Sequence, residues 1–446
     1  MTSSTLLLRG GTLVNEGEAY VADILIKGDR IERIDSSISY PAGRVLSLEG
    51  KYVLPGIIDS HVHFREPGLE HKGTILSETR AAVAGGITSF MEMPNTDPSC
   101  TTLERWKKKN EIASHSSLAN YAFYMGATSS NIDLLSGMDS RSLCGVKLFA
   151  GSSTGDLLID DPVLWERLMD QVPFLIAVHS ESESRIRSRE RIYRKRYGRG
   201  LDFRMHMDIR DRISCFETSK ELISIAESCG SRLHILHLST AEECSLFNTG
   251  PVEKKRISSE VCLHHLWFSD EDYTLKGGLI KVNPSVKTER DRDALWQALR
   301  DDRIDIVSSD HAPHTWAEKQ GDYFSCPSGI PSVGHTLIGM LSVPEEKRLS
   351  IEEIVNKMSQ NPARLFHMNE RGFLREGYFA DLVVVDPDRS FTLDKEDLYS
   401  SCAWSPWEGT RFEAQVLHTI VSGHLVFSEG RFDESRKGMA LSFQPL

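Results

Sequence analysis

The sequence predicts an α/β protein in which a (β/α)8 barrel of the TIM type carries a small composite β-sandwich. Eight short apolar runs alternate with longer amphipathic segments between about residues 53 and 315. Parallel strands need crossover helices, and eight strand–helix alternations match the strand count of a closed barrel. Polar residues suited to metal chemistry follow several of these runs, and both chain ends show a different pattern of short strands broken by glycine.

Each barrel strand is predicted from a short apolar run, and each crossover helix from an amphipathic one. The expected strands are residues 53–63, 88–94, 119–127, 145–150, 174–180, 232–239, 259–267 and 304–310. Helical periodicity is clearest at residues 75–84, 103–113, 216–229 and 290–299.

The sandwich is predicted from the two ends of the chain together. Residues 6–34 contain short strands broken by Gly10-Gly11 and Gly28-Asp29, and residues 373–432 repeat this style. Neither end has enough apolar pattern to fold alone. We therefore expect residues 1–52 and 372–446 to form one sandwich beside a barrel of residues 53–371.

Composition restricts the class of protein. A formal charge of −12 argues against a nucleic-acid partner and gives no reason to expect an anionic membrane surface. The start of the chain lacks the basic region of a signal peptide, and no run of about eighteen apolar residues would span a bilayer. The eight cysteines are scattered without a Cys-x-x-Cys pair, which indicates free thiols in a reducing compartment. These features predict a cytoplasmic protein.

One arginine-rich stretch, residues 185–212, could suggest a nucleic-acid surface. Acidic residues are interleaved with its arginines, namely Glu190, Asp202, Asp208 and Asp211. This mixture favours a solvated helical excursion instead.

The clearest chemical motif ends the first predicted strand, at His61, His63 and Arg65. Side chains alternate along a strand, so these three share one face. Two converging imidazoles are typical of a divalent-metal site, and the guanidinium beyond them could bind an anionic group beside the metal. A His-x-His pair also occurs by chance on protein surfaces, so this motif alone leaves that reading open.

Four more polar residues lie where predicted strands end: Lys147, His179, His237 and Asp310. Catalytic residues of a (β/α)8 barrel sit at the carboxyl ends of its strands. Histidines and an aspartate suit zinc or a similar ion, and two such ions would lower the pKa of a shared water to about 7. A lysine ammonium repels metals, so Lys147 is an anion contact, a packed stem or, after reaction with carbon dioxide, an anionic carbamate.

Several motifs together resemble those of dihydroorotases, in the amidohydrolase superfamily. The first signature of that family is similar to Asp59-Ser60-His61-Val62-His63-Phe64-Arg65-Glu66-Pro67. The second is similar to Ser308-Ser309-Asp310-His311-Ala312-Pro313-His314 followed by Lys319, although Ser308 stands where Gly or Ala is usual. Shorter motifs fall in the family's order, namely Met93-Pro94-Asn95-Thr96, His237-Leu238-Ser239-Thr240, His264-His265-Leu266 and Asn283-Pro284. The likeness covers nearly the whole chain.

The resemblance implies a binuclear zinc site. His61 and His63 with Asp310 would hold one ion, and His179 with His237 the other. Lys147 matches the carbamylated lysine that bridges the ions in the hydantoinase-like and animal enzymes. Some bacterial dihydroorotases carry an aspartate in that role, which leaves the following alternatives: Asp156, Asp160 and Asp161.

The resemblance also implies a small-molecule substrate, dihydroorotate, interconverted with N-carbamoyl-aspartate in pyrimidine synthesis. Asp310 would be catalytic, and the substrate would contact His63, Arg65, Asn95, Asn283 and His314. Allantoinase and dihydropyrimidinase are alternatives within the cyclic-amide branch, but their substrates lack the carboxylate that Arg65 would bind. A non-catalytic scaffold is a further alternative, and such relatives have typically lost metal ligands that this chain retains. A homodimer is expected from the resemblance alone.

Two regions fit the resemblance less well. Residues 329–336 lack the Gly-x-Glu-Thr pattern common after the second signature. The resemblance therefore does not define the loop that borders the substrate near Ser328-Gly329. His234, His264 and His265 favour packing or support of the metal ligands over direct ligation.

Overall fold

The computed structural model describes residues 5–153 and 155–445. Its strands form a barrel, a composite sheet and a separate two-stranded sheet. In chain order the strands are β1 (Thr5–Asn15), β2 (Glu18–Lys27), β3 (Arg30–Asp35), β4 (Arg44–Ser47), β5 (Tyr52–Pro55), β6 (Ile57–Val62), β7 (Ile87–Glu92), β8 (Asn120–Phe123), β9 (Met125–Gly126), β10 (Val146–Phe149), β11 (Ile176–His179), β12 (Leu233–Ile235), β13 (Ile257–Cys262), β14 (Ile306–Ser308), β15 (Leu382–Asp386), β16 (Phe391–Thr392), β17 (Arg411–Phe412), β18 (Gln415–Val421), β19 (His424–Ser428) and β20 (Arg431–Phe432).

Helices follow most barrel strands. They are α1 (Ile75–Ala84), α2 (Leu103–Ser116), α3 (Ile132–Ser136), α4 (Pro162–Gln171), α5 (Glu183–Tyr197), α6 (His206–Ile209), α7 (Arg212–Cys229), α8 (Ala241–Cys244), α9 (Leu263–Trp267), α10 (Tyr273–Lys276), α11 (Glu289–Arg300), α12 (Trp316–Lys319), α13 (Thr336–Leu341), α14 (Ile351–Val355) and α15 (Asn361–Leu365). No described helix is long and apolar enough to cross a membrane.

Strands β6 to β14 form a closed parallel barrel, which confirms the predicted fold class. β6, β7 and β8 pair in order, and β9 to β14 pair in order, with Tyr124 separating β8 from β9. The ring closes where Val62 forms a parallel bridge with His311 and the His63 N–H donates to the His311 carbonyl at 2.7 Å. The strands therefore all direct their carboxyl ends toward one rim.

The chain ends build one composite sheet, as predicted. Its strands run in the order β20-β19-β18-β15-β5-β1-β2-β3, with β4 beside β1. β5 is the junction, because Thr12 and Tyr52 pair in parallel while Pro55 and Leu382 pair antiparallel. Residues far apart in the sequence thus complete each other's hydrogen bonds. The exact domain boundaries at residues 52 and 371 stay a prediction.

Three predicted strands differ from the structure: the run at 119–127 is divided at Tyr124 into β8 and β9, and two others differ further. The run at 53–63 is two strands, which separate at Gly56 as the chain passes from the composite sheet into the barrel. A Cβ at Gly56 would lie 2.1 Å from Thr88 Oγ1, so this close crossing requires glycine. The run at 259–267 ends as a strand at Cys262 and continues as helix α9, since a short buried apolar run does not distinguish strand from helix.

The arginine-rich stretch contains helix α5, of which only Ile186 is buried among the described residues. Its arginines are paired with acidic neighbours: Arg187 with Glu183 at 2.7 Å and Arg194 with Glu190 at 2.9 Å. The structure agrees with a solvated helical excursion.

Candidate metal centre and substrate cavity

All the predicted site residues line one cavity of about 200 Å3 at the carboxyl rim of the barrel. They are His61, His63, Arg65, Asn95, Lys147, His179, His237, Asn283, Asp310 and His314. Ser328 and Gly329 also line it. The sequence did not predict the other lining residues, which are Phe149, Ser152, Val282 and Ala312.

The first donor group combines the ends of β6 and β14. Nε2 of His61 and Nε2 of His63 each lie 3.2 Å from Asp310 Oδ1. Donor atoms of the three residues all lie within 4.8 Å of one another, which is the separation expected of ligands sharing one ion. Burial lowers the pKa of His63 to about 4, so its imidazole is neutral at pH 7, as a metal ligand must be.

Asp310 remains ionised beside these histidines. Burial opposes its charge, but the neighbouring His61 and His63 hold the pKa of Asp310 well below its usual range. The carboxylate is therefore available at pH 7 both as a ligand and as a proton acceptor.

The second donor group lies beside the first, on β10, β11 and the segment after β12, with the His61 and His237 ring centres 5.3 Å apart. His179 Nδ1 and His237 Nε2 are 2.8 Å apart. Lys147 is buried, with its Nζ 4.6 Å from the centre of the Phe149 ring. Burial lowers the pKa of Lys147 to about 7, so a substantial fraction of its amine is neutral and nucleophilic at neutral pH. These groups fit a second nitrogen- and oxygen-ligated ion if Lys147 supplies a carbamate.

Two buried glutamates, which were not predicted from the sequence, orient one histidine of each donor group, His61 and His179. Glu260 Oε1 lies 2.6 Å from His61 Nδ1, and Glu181 Oε2 lies 2.8 Å from His179 Nε2. Arg210 contacts the same Glu181 carboxylate. A carboxylate on the far nitrogen fixes the tautomer and leaves the near nitrogen free for a metal. For Glu260 the available signal was a glutamate inside a predicted barrel strand, because a glutamate is rarely buried without a partner.

The anion-binding side of the cavity contains Arg65, His314 and Asn95. The Arg65 Nε–H donates to the Pro313 carbonyl at 3.1 Å, and its Nη2 lies 3.2 Å from His314 Nε2. Asn95 Oδ1 lies 2.6 Å from His63 Nδ1, which leaves the Asn95 amide N–H groups for a ligand. A buried cation with neutral donors beside it is suited to a carboxylate.

Asn283, another residue of the cavity wall, offers a hydrogen-bond acceptor. Its Oδ1 is buried and has no hydrogen-bond partner among the described residues. An unpaired buried amide oxygen is costly, and a ligand N–H in the cavity would satisfy it.

Three of these residues have unusual backbone conformations. Arg65, His237 and Asp310 have φ values of 75°, 39° and 45°, a region that residues with side chains seldom adopt. Such strain persists where surrounding structure imposes it, and it concentrates at functional sites. The positive φ values turn these three side chains into the cavity just after their strands have ended.

The alternative residues lie elsewhere. Asp156, Asp160 and Asp161 are exposed and are not among the described residues lining the cavity. Asp161 caps helix α4 by accepting from the Val163 N–H at 2.9 Å. His234 supports the site, since its Nε2 lies 3.3 Å from Glu260 Oε2.

Comparison with known proteins identifies the family. A sequence model of the amidohydrolase family matches residues 52–426, a span that includes the whole barrel. The chain belongs to the amidohydrolase family.

Curated relatives of this amidohydrolase carry different substrate names at similar identity. An allantoinase from Deinococcus radiodurans is 32% identical over 98% of this chain and 99% of its own length. A dihydroorotase from Halobacterium salinarum is 32% identical over 87% of this chain and 89% of its own length. Among solved structures, an L-hydantoinase (dihydropyrimidinase) from Arthrobacter aurescens has a TM-score of 0.92 and 25% identity, covering 99% of this chain and all of its own.

These relatives define the branch of the family. The chain is a metal-dependent cyclic amidohydrolase, with the barrel and sheet domain of the hydantoinase fold. Similarity alone does not separate the three ring substrates, so the residues that contact the ring must do so.

Proposed function

We propose that this amidohydrolase is a dihydroorotase, which interconverts (S)-dihydroorotate and N-carbamoyl-L-aspartate in pyrimidine biosynthesis. The principal support is the buried guanidinium of Arg65 in the wall of the metal cavity. Among the candidate rings, dihydroorotate is the one with a carboxylate, and a buried arginine needs such a partner. Allantoin and dihydropyrimidines would leave Arg65 without one.

The substrate would lie between Arg65 and Asn283. Its carboxylate would accept hydrogen bonds from Arg65 and from the Asn95 amide, with His314 in contact beside Arg65, and a ring N–H would donate to the unpaired Asn283 Oδ1. The scissile amide carbonyl would then face Asp310 and the histidines. His63 would contact the substrate from the same side.

Two zinc ions are part of the proposal, held by His61, His63 and Asp310 and by His179, His237 and a carbamate on Lys147. Imidazole and carboxylate donors suit zinc better than magnesium. When bound, the ions would lower the pKa of a water molecule and polarise the ring carbonyl.

Asp310 would transfer a proton from the attacking water to the ring nitrogen. In hydrolysis it accepts a proton from the attacking water as the carbon–oxygen bond forms. It then gives that proton to the ring nitrogen as the carbon–nitrogen bond breaks. Ring closure reverses these steps, with Asp310 returning the proton as water leaves.

Allantoinase and dihydropyrimidinase are the rival activities, since relatives with those names are also similar to this chain. A scaffold without catalysis is less well supported, because every expected ligand position holds a side chain capable of ligation.

The test is turnover by the zinc-loaded protein of dihydroorotate, hydantoin, dihydrouracil and allantoin, with metal counted per chain. We expect turnover of dihydroorotate with about two zinc ions per chain. Turnover of a ring without a carboxylate, but not of dihydroorotate, would refute the proposal. Bound metal without turnover of any ring would favour the scaffold.

A further inference from the structure

One side of the substrate cavity is formed by an irregular segment, residues 323–329, which supplies Ser328 and Gly329. Two lysines, Lys281 and Lys319, are buried against it with 7% and 3% of their surface exposed. Lysine is rarely buried this deeply without a specific partner. Neither lysine has a role in the proposed reaction, although Lys319 accompanies the second sequence motif.

Each lysine binds two backbone carbonyls of this segment. The Lys319 Nζ donates to the carbonyls of Pro327 at 2.8 Å and Gly329 at 3.0 Å. The Lys281 Nζ donates to the carbonyls of Tyr323 at 2.6 Å and Cys326 at 2.7 Å. In addition, the Gly329 N–H donates to the Lys281 carbonyl at 2.9 Å.

These contacts replace the regular hydrogen bonds that the segment lacks. A helix or sheet satisfies its own carbonyls, but an irregular buried segment needs other donors. Burial lowers the pKa of Lys319 to about 7 and that of Lys281 to about 8. A neutral amine still has two N–H groups for two carbonyls, so the contacts persist in either charge state.

The segment in turn positions the groups that face the substrate carboxylate. The Ser328 carbonyl lies 3.0 Å from His314 Nε2, and Lys72 Nζ lies 3.3 Å from His314 Nδ1. Lysine can only donate, so Nδ1 accepts from Lys72 and the hydrogen of His314 is on Nε2, directed at the Ser328 carbonyl. Arg65 Nη2, 3.2 Å from the same Nε2, is then in contact with the ring without a hydrogen bond to it. The Ser328 carbonyl therefore orients the ring that lies against Arg65.

We propose that Lys281 and Lys319 are positioning residues, which hold segment 323–329 so that the anion-binding side of the cavity is preformed. They act through Ser328 and His314 and contact no reacting atom. The inference depends on the proposed function only for the identity of the bound ring.

The test compares Lys281→Met and Lys319→Met with Lys357→Met. Lys357 is the control, because it is also buried but binds away from the cavity, where it donates to the Ile304 carbonyl and to Asp302 Oδ1, each at 2.7 Å. Steady-state kinetics with dihydroorotate and hydrogen–deuterium exchange of residues 320–332 are measured for all three. If one of the Lys281 and Lys319 variants does not fold, the other alone is compared with Lys357→Met.

We expect the KM to rise about tenfold or more in the Lys281 and Lys319 variants, as loss of hydrogen bonds to a binding surface predicts, with kcat changed less than about threefold. Exchange should accelerate within residues 323–329. Lys357→Met should lower the Tm without changing the KM.

An unchanged KM in folded Lys281 and Lys319 variants, or an equal rise in Lys357→Met, would overturn the inference. If the wild-type protein hydrolyses another ring, the KM comparison uses that ring. Failure of the proposed function therefore appears in the wild-type protein, and failure of this inference appears in the variants.

Discussion

Glu260 Oε1 lies 2.6 Å from His61 Nδ1, and this contact determines which nitrogen of His61 faces Asp310. Burial disfavours the charge of Glu260, but His61 and His234 hold its pKa below the usual range. The carboxylate accepts the Nδ1 hydrogen, which leaves the Nε2 lone pair directed at the cavity.

Glu260→Gln should therefore weaken metal binding without removing a ligand. A glutamine is a poorer acceptor and can present its amide N–H groups instead, so the His61 tautomer is no longer fixed. We expect zinc affinity to fall by about 10–100-fold, measured by competition with a chelator. Glu243→Gln is the control, because Glu243 is also buried but bonds Ser219 and Thr240. Equal affinity in both variants would contradict a role for Glu260 in the site.

Asp310→Asn should retain the fold and lose turnover. The amide has nearly the shape of the carboxylate but cannot accept a proton from water. We expect kcat to fall by about 10²–10⁴-fold, the range for loss of a general base. Near-wild-type kcat, with the circular dichroism spectrum unchanged, would remove Asp310 from proton transfer.

Arg65→Met should weaken binding of the substrate carboxylate. Hydrogen bonds to charged groups contribute about 1.5–3 kcal/mol. The KM for dihydroorotate should therefore rise by roughly 10–150-fold. Arg65→Lys keeps the charge but not the two-pronged geometry, so an intermediate KM is expected. A KM that stays constant across all three proteins would place the carboxylate elsewhere.

Lys319 should make stability depend on pH in a defined direction. Burial lowers its pKa from 10.5 to about 7, so between these values the unfolded chain holds the extra proton. Stability from this group is then greatest above pH 10.5 and is lost as the pH falls toward 7. The Tm of the wild-type protein relative to Lys319→Met should rise between pH 7 and pH 10, as measured by thermal scans of both proteins. A constant difference would mean that Lys319 keeps an ordinary pKa in the fold.

The catalytic rim was predictable because its chemistry is local. His61 and His63 are two residues apart on one strand, and the period of a strand alone puts them on one face. Asp310 and His179 follow apolar runs, so the barrel topology brings them to the same rim.

The supporting residues were not predictable in this way. Glu260 approaches His61 from a strand far along the chain, and no local pattern encodes that pairing. The contacts of Lys281 and Lys319 with backbone carbonyls likewise depend on the tertiary structure, because the carbonyl partners belong to an irregular segment without a sequence pattern. The end of β5 at Gly56 depends on the approach of Thr88, which only the folded chain reveals.

The pairing of β5 with β15 has a consequence for synthesis on the ribosome. Pro55 meets its partner Leu382 only after roughly 330 further residues have been added, which takes on the order of 15–65 s at ordinary translation rates. During that interval one edge of the amino-terminal strands has no partner, and open edges recruit strands from other chains. The barrel, which lies between β5 and β15 in the sequence, is therefore synthesised while the composite sheet still lacks its carboxyl-terminal strands. A chaperone or rapid closure of the barrel would have to protect the unpaired edge of β5.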